Sequence, residues 1–330
     1  MFAHYFEKST VGTMKVTEHL RQAKGTLVSF EILPPLKGKT INSIYDHLDP
    51  LMEFRPSFIN VTYHRAEHIF KKKADSSFEK VEIRKRPGTV GICAAIMNHY
   101  KIDAVPHLIC GGFTVRETED ALIDLYFLGI DNVLLLRGDA AKNETFFEPE
   151  PEGHKYAIDL LKQTVNLNNG IYLEESIRNG FRTNFCIGVA GYPEKHFESP
   201  NASTDMLYLK AKVDAGAEYI VTQMFFDNQK YFDFVKNCRD NGIEIPIIPG
   251  LKPISSIKQL SVLPRTFHVD IPTDLSTEIL KCKTDDDVEL VGTEWLKQQS
   301  IELKKAGVPA LHYYTLGKPR IIENVVKEIM

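Results

Sequence analysis

The chain lacks the cysteine pattern of a metal-binding or disulfide-built protein. Its five cysteines, Cys93, Cys110, Cys186, Cys238 and Cys282, are odd in number and form no C-x-x-C pair. Neither a disulfide framework nor a zinc site is expected, and no metal is predicted. Most of these cysteines sit in apolar runs such as VGICAAIM and FCIGVA. That is where buried, reduced thiols of a cytosolic protein belong. Long apolar stretches are also missing, and the opening MFAHYFEKSTVG has no signal-peptide core. No membrane association is expected, and the expected location is cytoplasmic. Charge of one sign is absent too: 40 Lys and Arg stand against 44 Asp and Glu, for a net charge of -4. Nothing there suggests nucleic acid or an anionic membrane as partner. Gly111-Gly112 is no G-x-G-x-x-G fingerprint, and P-loop and G-x-S-x-G motifs are absent. This speaks against Rossmann dehydrogenases, phosphate-loop enzymes and serine hydrolases.

What the chain does contain is a rhythm. It has 330 residues, 43% of them hydrophobic and 25% charged, an ordinary globular composition with ample core. Short apolar runs rich in β-branched and aromatic residues alternate with longer amphipathic stretches. The runs are 26–32, 57–63, 104–110, 132–138, 184–190, 219–226, 245–251 and 310–316. Near-continuous apolar strands separated by helices predict a parallel sheet covered on both faces. Their number predicts an α/β fold, a (β/α)8 TIM barrel formed as a single catalytic domain over 1–330. A helical N-terminal extension is expected over 1–25, with longer insertions at 141–183 and 264–308. VRETEDALIDLYFLG should end at Gly129, and STDMLYLKAKVDAGA should be capped by Ser203 or Thr204 and stop near Gly216.

In such a barrel, chemistry gathers at the C-terminal ends of the strands. Those ends supply Glu31, Thr62, His107, Arg137-Gly138-Asp139, Tyr192, Gln223 and Tyr314-Thr315. A carboxylate in SFEILPP must be paired, protonated or solvated. Glu31 is thus either a catalytic acid or half of an ion pair bracing the interior, and Pro34-Pro35 fixes the chain as it leaves. His107 reads more readily as a satisfied core histidine than as a ligand. Arg137 suits phosphate or carboxylate, beside a glycine that admits a ligand to the backbone, or else pairs with Asp139 at the surface. Gln223 can both donate and accept hydrogen bonds to a ligand, or be satisfied by backbone. Phe225 and Phe226 read as core.

Taken in order, SFEILPP, NVTY, VPHLIC, LLLRGD, Tyr192-Pro193-Glu194 followed by His196, KAKVDAGAEYIVTQMFFD and IIPGLKPI resemble the methylenetetrahydrofolate reductase family from Ser29 to Thr315. The resemblance implies a barrel carrying FAD and a ping-pong reaction. In it, NADH or NADPH first reduces the flavin, which then reduces 5,10-methylenetetrahydrofolate to 5-methyltetrahydrofolate, a methyl source for methionine. It places Glu31 at the general acid that protonates the departing ring nitrogen, a task suited to a carboxyl in a poorly solvated site. It places Asp139 near flavin and pterin, as a second catalytic residue that tunes both. Thr62, His107, Arg137, Gly138, Ala157, Tyr192, His196, Asp205 and Lys212 fall at FAD-holding positions. Gln223 and Gln259 fall at folate-contacting ones. Lys318 falls where an arginine is expected to hold the folate's glutamate tail; it supplies charge without a bidentate fork.

Other departures from the family are Tyr208, for an asparagine at the cofactor, and Leu263, for a phenylalanine that packs on substrate. The chain also stops soon after the eighth strand, so feedback control by adenosylmethionine is not expected, and the short form resembles bacterial enzymes that assemble as homo-oligomers. Two alternatives stay open: another FAD barrel oxidoreductase of the proline dehydrogenase type, and a flavin-free barrel lyase or non-catalytic folate- or flavin-binding protein.

Overall fold

Alternation along each apolar run decides which side chains meet helices and which fill the interior. In the computed structural model, which describes residues 13–140, 144, 146–315 and 317–330, β1 spans Leu27–Ile32 and β2 Phe58–Val61. Val28, Phe30, Ile32, Ile59 and Val61 join the outer core against the helices. Ser29, Glu31, Phe58 and Asn60 alternate with them and turn inward. An antiparallel pair, β3 (Glu67–Lys72) and β4 (Phe78–Ile83), follows β2. The remaining strands are β5 (Asp103–Ile109), β6 (Asn132–Leu136), β7 (Cys186–Gly191), β8 (Tyr219–Thr222), β9 (Ile247–Ile248), β10 (Gly250–Leu251) and β11 (Ala310–Tyr314).

The large sheet runs β10-β11-β1-β2-β5-β6-β7-β8-β9 and every pairing in it is parallel. Its two outer segments are halves of one strand interrupted at Pro249. β9 pairs with β8 and β10 with β11, so that strand closes the sheet into an eight-stranded barrel. Proline has no N–H for the ladder; its carbonyl still accepts from His312 N at 3.1 Å across the break. The barrel strands fall within the eight predicted runs, except that β5 begins one residue early at Asp103 and β7 ends one residue late at Gly191; β3 and β4 lie outside all eight.

Helices α2 (Asn42–Met52), α3 (Thr89–Tyr100), α4 (Val115–Phe127), α5 (Ala157–Asn168), α6 (Ala202–Asp214) and α7 (Asn228–Asp240) make the crossovers. The last crossover holds three: α8 (Gln259–Phe267), α9 (Thr273–Lys281) and α10 (Asp285–Lys305). Helix α11 (Pro319–Ile329) packs against α10 and α2. Helix α4 ends before Gly129, as its sequence predicts. Helix α6 stops before Gly216 but is capped by Asn201, whose side chain accepts from Thr204 N at 2.8 Å; neither Ser203 nor Thr204 is the cap.

Helix α1 (Val16–Gln22) closes the N-terminal mouth of the barrel. Val16 is fully buried with Phe58, Val105, Leu134, Cys186, Tyr219, Ile248 and Ala310, all inward-facing strand residues. Asn132 accepts from Val16 N at 2.8 Å and donates to Met14 O at 2.9 Å, and His19 meets Asp103 at 2.6 Å. The floor is therefore sealed, and the opposite rim is left for chemistry. Residues 1–12 of the expected extension, 141–143 and 145 of the first expected insertion, and Leu316 lie outside the described residues. Among the described residues, no helix is long and apolar enough to cross a membrane.

Candidate active site

Glu31 is the centre of a buried polar band. It lies near the C-terminal end of β1, 7% exposed. Its Oε2 is 3.6 Å from His107 Nε2 on β5 and 3.6 Å from His312 Nε2 on β11. His312 is fully buried, and its Nδ1 shares a 2.8 Å hydrogen bond with Ser29 Oγ, one inward position below Glu31. Asn60, opposite Glu31 on β2, is also fully buried. The Nε2 atoms of both histidines and both polar atoms of the Asn60 amide are buried without a hydrogen-bond partner. Buried polar groups are nearly always paired, and leaving one unpaired costs roughly 1–3 kcal/mol. Several such atoms around one carboxyl mark a place built for a polar guest. Burial pushes His107 down to about 4, with Glu31 opposing and His312 reinforcing the shift, so its ring is neutral at neutral pH.

Around the rim, Thr62 follows β2 and donates its N–H to Ile32 O at 3.1 Å. Arg137 follows β6 and is held in a two-point pair by Glu198, with one contact of 2.9 Å, and not by Asp139. Its guanidinium also lies 5.1 Å from the Phe147 ring centre, and Arg65 approaches the same ring at 5.8 Å while pairing with Glu144. Gly138 takes a φ of 86°, a backbone state that side-chain-bearing residues avoid. Asp139 is exposed; its charge acts on Tyr192 and on His64. Tyr192 packs edge-on to His196 at 4.7 Å.

Asp205, in the first turn of α6, ties down the loop before it, accepting from Ser199 Oγ at 2.7 Å and His196 N at 3.1 Å. The Lys212 ammonium donates to Ala190 O at 2.8 Å; burial lowers it to about 8, and Asp205 opposes the shift. Thus Thr62, His107, Arg137 to Asp139, Tyr192, His196, Asp205 and Lys212 ring the same mouth as Glu31. Ala157 begins α5.

The folate-side positions are engaged locally. The Gln223 carbonyl accepts from Met224 N at 3.0 Å, and that of Gln259 from Ser255 N at 2.7 Å. Lys318, at the start of α11, pairs with Glu289 at 2.9 Å. Leu263 is 2% exposed and packs with Met224, Phe226 and Ile254, so it serves the core. Tyr208 is 60% exposed. Phe225 and Phe226 are buried, as their sequence context predicts.

Sequence reading missed His312, Asn60, Ser29 and His64. His312 and Asn60 were accessible in principle: each is a polar residue within an apolar strand, at the same inward parity as a strand-end residue already singled out. Among the described residues, no cluster of His, Cys, Asp and Glu has the form of a metal site.

The profile of the methylenetetrahydrofolate reductase family matches residues 15–330. The chain is 32% identical over 307 residues to 5,10-methylenetetrahydrofolate reductase of Salmonella typhimurium, covering 92% of this chain and 90% of that one. It is 30% identical over 317 residues to methylenetetrahydrofolate reductase 2 of Saccharomyces cerevisiae, covering 92% of this chain and 48% of the yeast protein. It thus spans about half the length of the yeast and plant relatives it matches. In fold it is similar to a Clostridium thermocellum protein described as binding two copies of 5-methyl-5,6,7,8-tetrahydrofolic acid, with a TM-score of 0.57 at 15% identity over 94% of this chain and 97% of that one.

Proposed function

Since the chain belongs to the methylenetetrahydrofolate reductase family, we propose that it reduces 5,10-methylenetetrahydrofolate to 5-methyltetrahydrofolate at the barrel mouth, with FAD as resident cofactor and NADH or NADPH as reductant. The observation that carries this reading is Glu31, a buried carboxyl facing two buried histidine nitrogens that have no other partner.

The donor set at the mouth suits a flavin dinucleotide. Lys212 spends one hydrogen bond on a carbonyl, and an ammonium has three to give. It and Arg137 bring positive charge to the β6–β7 side, where a diphosphate would be met. Thr62, His107, Gly138, Asp139, Ala157, Tyr192, His196 and Asp205 would complete the cradle. When bound, the flavin supplies hydride transfer, taking from the nicotinamide and giving to folate in alternate visits to one site.

The chain's own residues handle the proton. Reduction needs the methylene bridge opened to an iminium, and opening needs a proton on the departing nitrogen. Glu31 delivers it from inside a poorly solvated pocket, where a transferred proton is not lost to bulk water. The carboxylate left behind faces His107 and His312. Contacts of 3.6 Å are slightly long for hydrogen bonds, and such contacts tighten when a substrate is seated. Ser29 fixes the His312 ring, so the clasp is oriented before substrate arrives. Gln223 and Gln259 would read the pterin, exchanging their local backbone bonds for it.

The test is an anaerobic visible spectrum of the FAD-supplemented protein, with NADH added first and methylenetetrahydrofolate second. The expected result is bleaching, then return of the flavin bands. Bleaching without return would remove folate as substrate. Bleaching by proline with no response to NADH would favour a proline dehydrogenase type of reaction. Absence of flavin bands would overturn the flavoenzyme reading.

A further inference from the structure

Lys252 follows β10 directly. Leu251 joins the outer core, and Gly250 lies against Tyr314, whose Cε2 would be 2.7 Å from an added Cβ. Alternation returns Lys252 to the inward face, at the C-terminal rim. The residue is only 6% exposed. Its ammonium donates to Pro253 O, the carbonyl of its own neighbour, at 3.1 Å, and among the described residues no carboxylate lies within ion-pair distance. A buried ammonium so placed is costly, because one carbonyl replaces a full hydration shell. The charge that acts on it has the wrong sign: Lys318 adds to burial in lowering Lys252 to about 8. Lys318, at the start of α11 just beyond β11, thus adds a second positive charge on the same side of the rim. Glu289 balances Lys318, and among the described residues no carboxylate pairs with Lys252.

Two positive charges on one side of the rim favour an anion between them. Their position says which anion. Lys252 and Lys318 stand beside β10 and β11, the seventh and eighth barrel strands. Arg137 and Lys212 stand beside the fourth and fifth, across the mouth. A ligand with its reacting end at Glu31 and its anionic tail at the β10–β11 rim would not compete with a diphosphate on the far side.

We propose that Lys252 determines specificity for the glutamate tail of the folate, binding one tail carboxylate from within the barrel while Lys318 meets the other at the rim. The proposal rests on the folate reading above. It assigns a binding role to a lysine that sequence alone presents only as part of IIPGLKPI.

The test compares 5-methyltetrahydrofolate with 5-methyltetrahydropteroate, which lacks the glutamate, by calorimetric titration of the FAD-supplemented protein. The wild type should prefer the glutamyl ligand. Lys252→Met, which conserves side-chain volume, should reduce that preference on the order of tenfold or more and leave pteroate affinity unchanged. Folding damage would weaken both ligands equally, so the ratio isolates the tail. Lys318→Gln, at an exposed position, should keep part of the preference. An unchanged ratio in Lys252→Met overturns the proposal, as does weakened NADH binding with the tail preference intact. Complete loss of preference in Lys318→Gln alone also overturns it, and this arm decides if Lys252→Met does not fold. A wild type that turns folate over without preferring the glutamyl form refutes only the tail subsite. A wild type that binds neither ligand refutes the folate reading itself.

Discussion

His312 Nε2 stands 3.6 Å from Glu31 Oε2, while its Nδ1 is fixed by Ser29 Oγ at 2.8 Å. Ser29 and His312 are register partners on neighbouring parallel strands, and Glu31 lies two residues above Ser29. The barrel ladder itself therefore sets the direction from which the histidine addresses the carboxyl.

Glu31→Gln should abolish the folate half-reaction, by at least about a hundredfold in rate, and leave bleaching of the flavin by NADH intact. His312→Gln should slow the folate half-reaction by about tenfold and alter its pH profile, since it removes a ring that acts through Glu31. The double variant should be no slower than Glu31→Gln alone. Stopped-flow measurement of the two half-reactions checks all of this. Additive losses would show that His312 acts independently of Glu31.

His107 predicts a loss of stability in mild acid. Its folded-state value lies near 4, below the ordinary histidine value of 6.5, because burial disfavours the charged ring. Between these values the unfolded chain binds more protons than the folded one, so unfolding free energy falls as pH drops from about 6.5 to about 4. The contribution is on the order of 3 kcal/mol. Urea denaturation at a series of pH values should show this slope, and His107→Gln should flatten it. An unchanged slope in the variant would assign the acid sensitivity to other groups.

The barrel was legible because each of its strands is buried on both faces, and such strands must be written as apolar runs. The β3–β4 pair escaped for the opposite reason. Phe70 and Phe78 are 62% and 66% exposed, and the pair belongs to no strand of the barrel, so no core pattern marks it. At the site, Glu31 and His107 were visible as polar residues near strand ends. Asn60 and His312 carried only the fainter mark of inward parity, and an isolated polar residue within a strand acquires its meaning when closure of the sheet brings its neighbours round. Lys252 is the extreme case, since lysine normally marks a surface and tertiary closure alone reveals its burial. Arg137 shows the limit of local reading: it sits two residues from Asp139 yet pairs with Glu198, far along the chain.

Glu194 should work in the opposite sense to His107. Burial raises it to about 7, and Asp270 and Asp227 add to the rise; Lys230 and the hydrogen bond from Asp270 N oppose it. That bond is 2.6 Å long and joins the Tyr192–His196 loop to the connection between α8 and α9, while the other carboxyl oxygen is buried and unpaired. The folded state holds the extra proton between about 4.5 and 7, so the stability it contributes is present at low pH and lost as pH rises through about 7. Glu194→Gln should remove this loss and raise the melting temperature above pH 7 relative to wild type, with no gain below pH 5. A variant that gains equally at all pH values would refute titration of Glu194 as the cause.

The barrel interior is closed by a pairing that tolerates no added atom. Tyr219 is fully buried at the centre, its hydroxyl donating to Val133 O at 3.3 Å. Gly188 is its register partner on the adjacent strand, and a Cβ there would lie 2.6 Å from the Tyr219 oxygen and nearer still to the ring. The ring cannot retreat, because Leu134, Val105 and Ile248 belong to the same packed cluster. Gly188→Ala should therefore destabilise by about 1–3 kcal/mol or more, although alanine has a higher strand preference than glycine. Tyr219→Leu removes the far half of the ring and should itself cost a few kcal/mol, about 2–5 by analogy with other cavity-forming changes. Combined, the two should be less harmful than their sum, because the alanine methyl enters space the ring has left. A chemical-denaturation double-mutant cycle measures this coupling. A strictly additive pair would mean that Gly188 is required by the backbone of β7 and not by the tyrosine beside it.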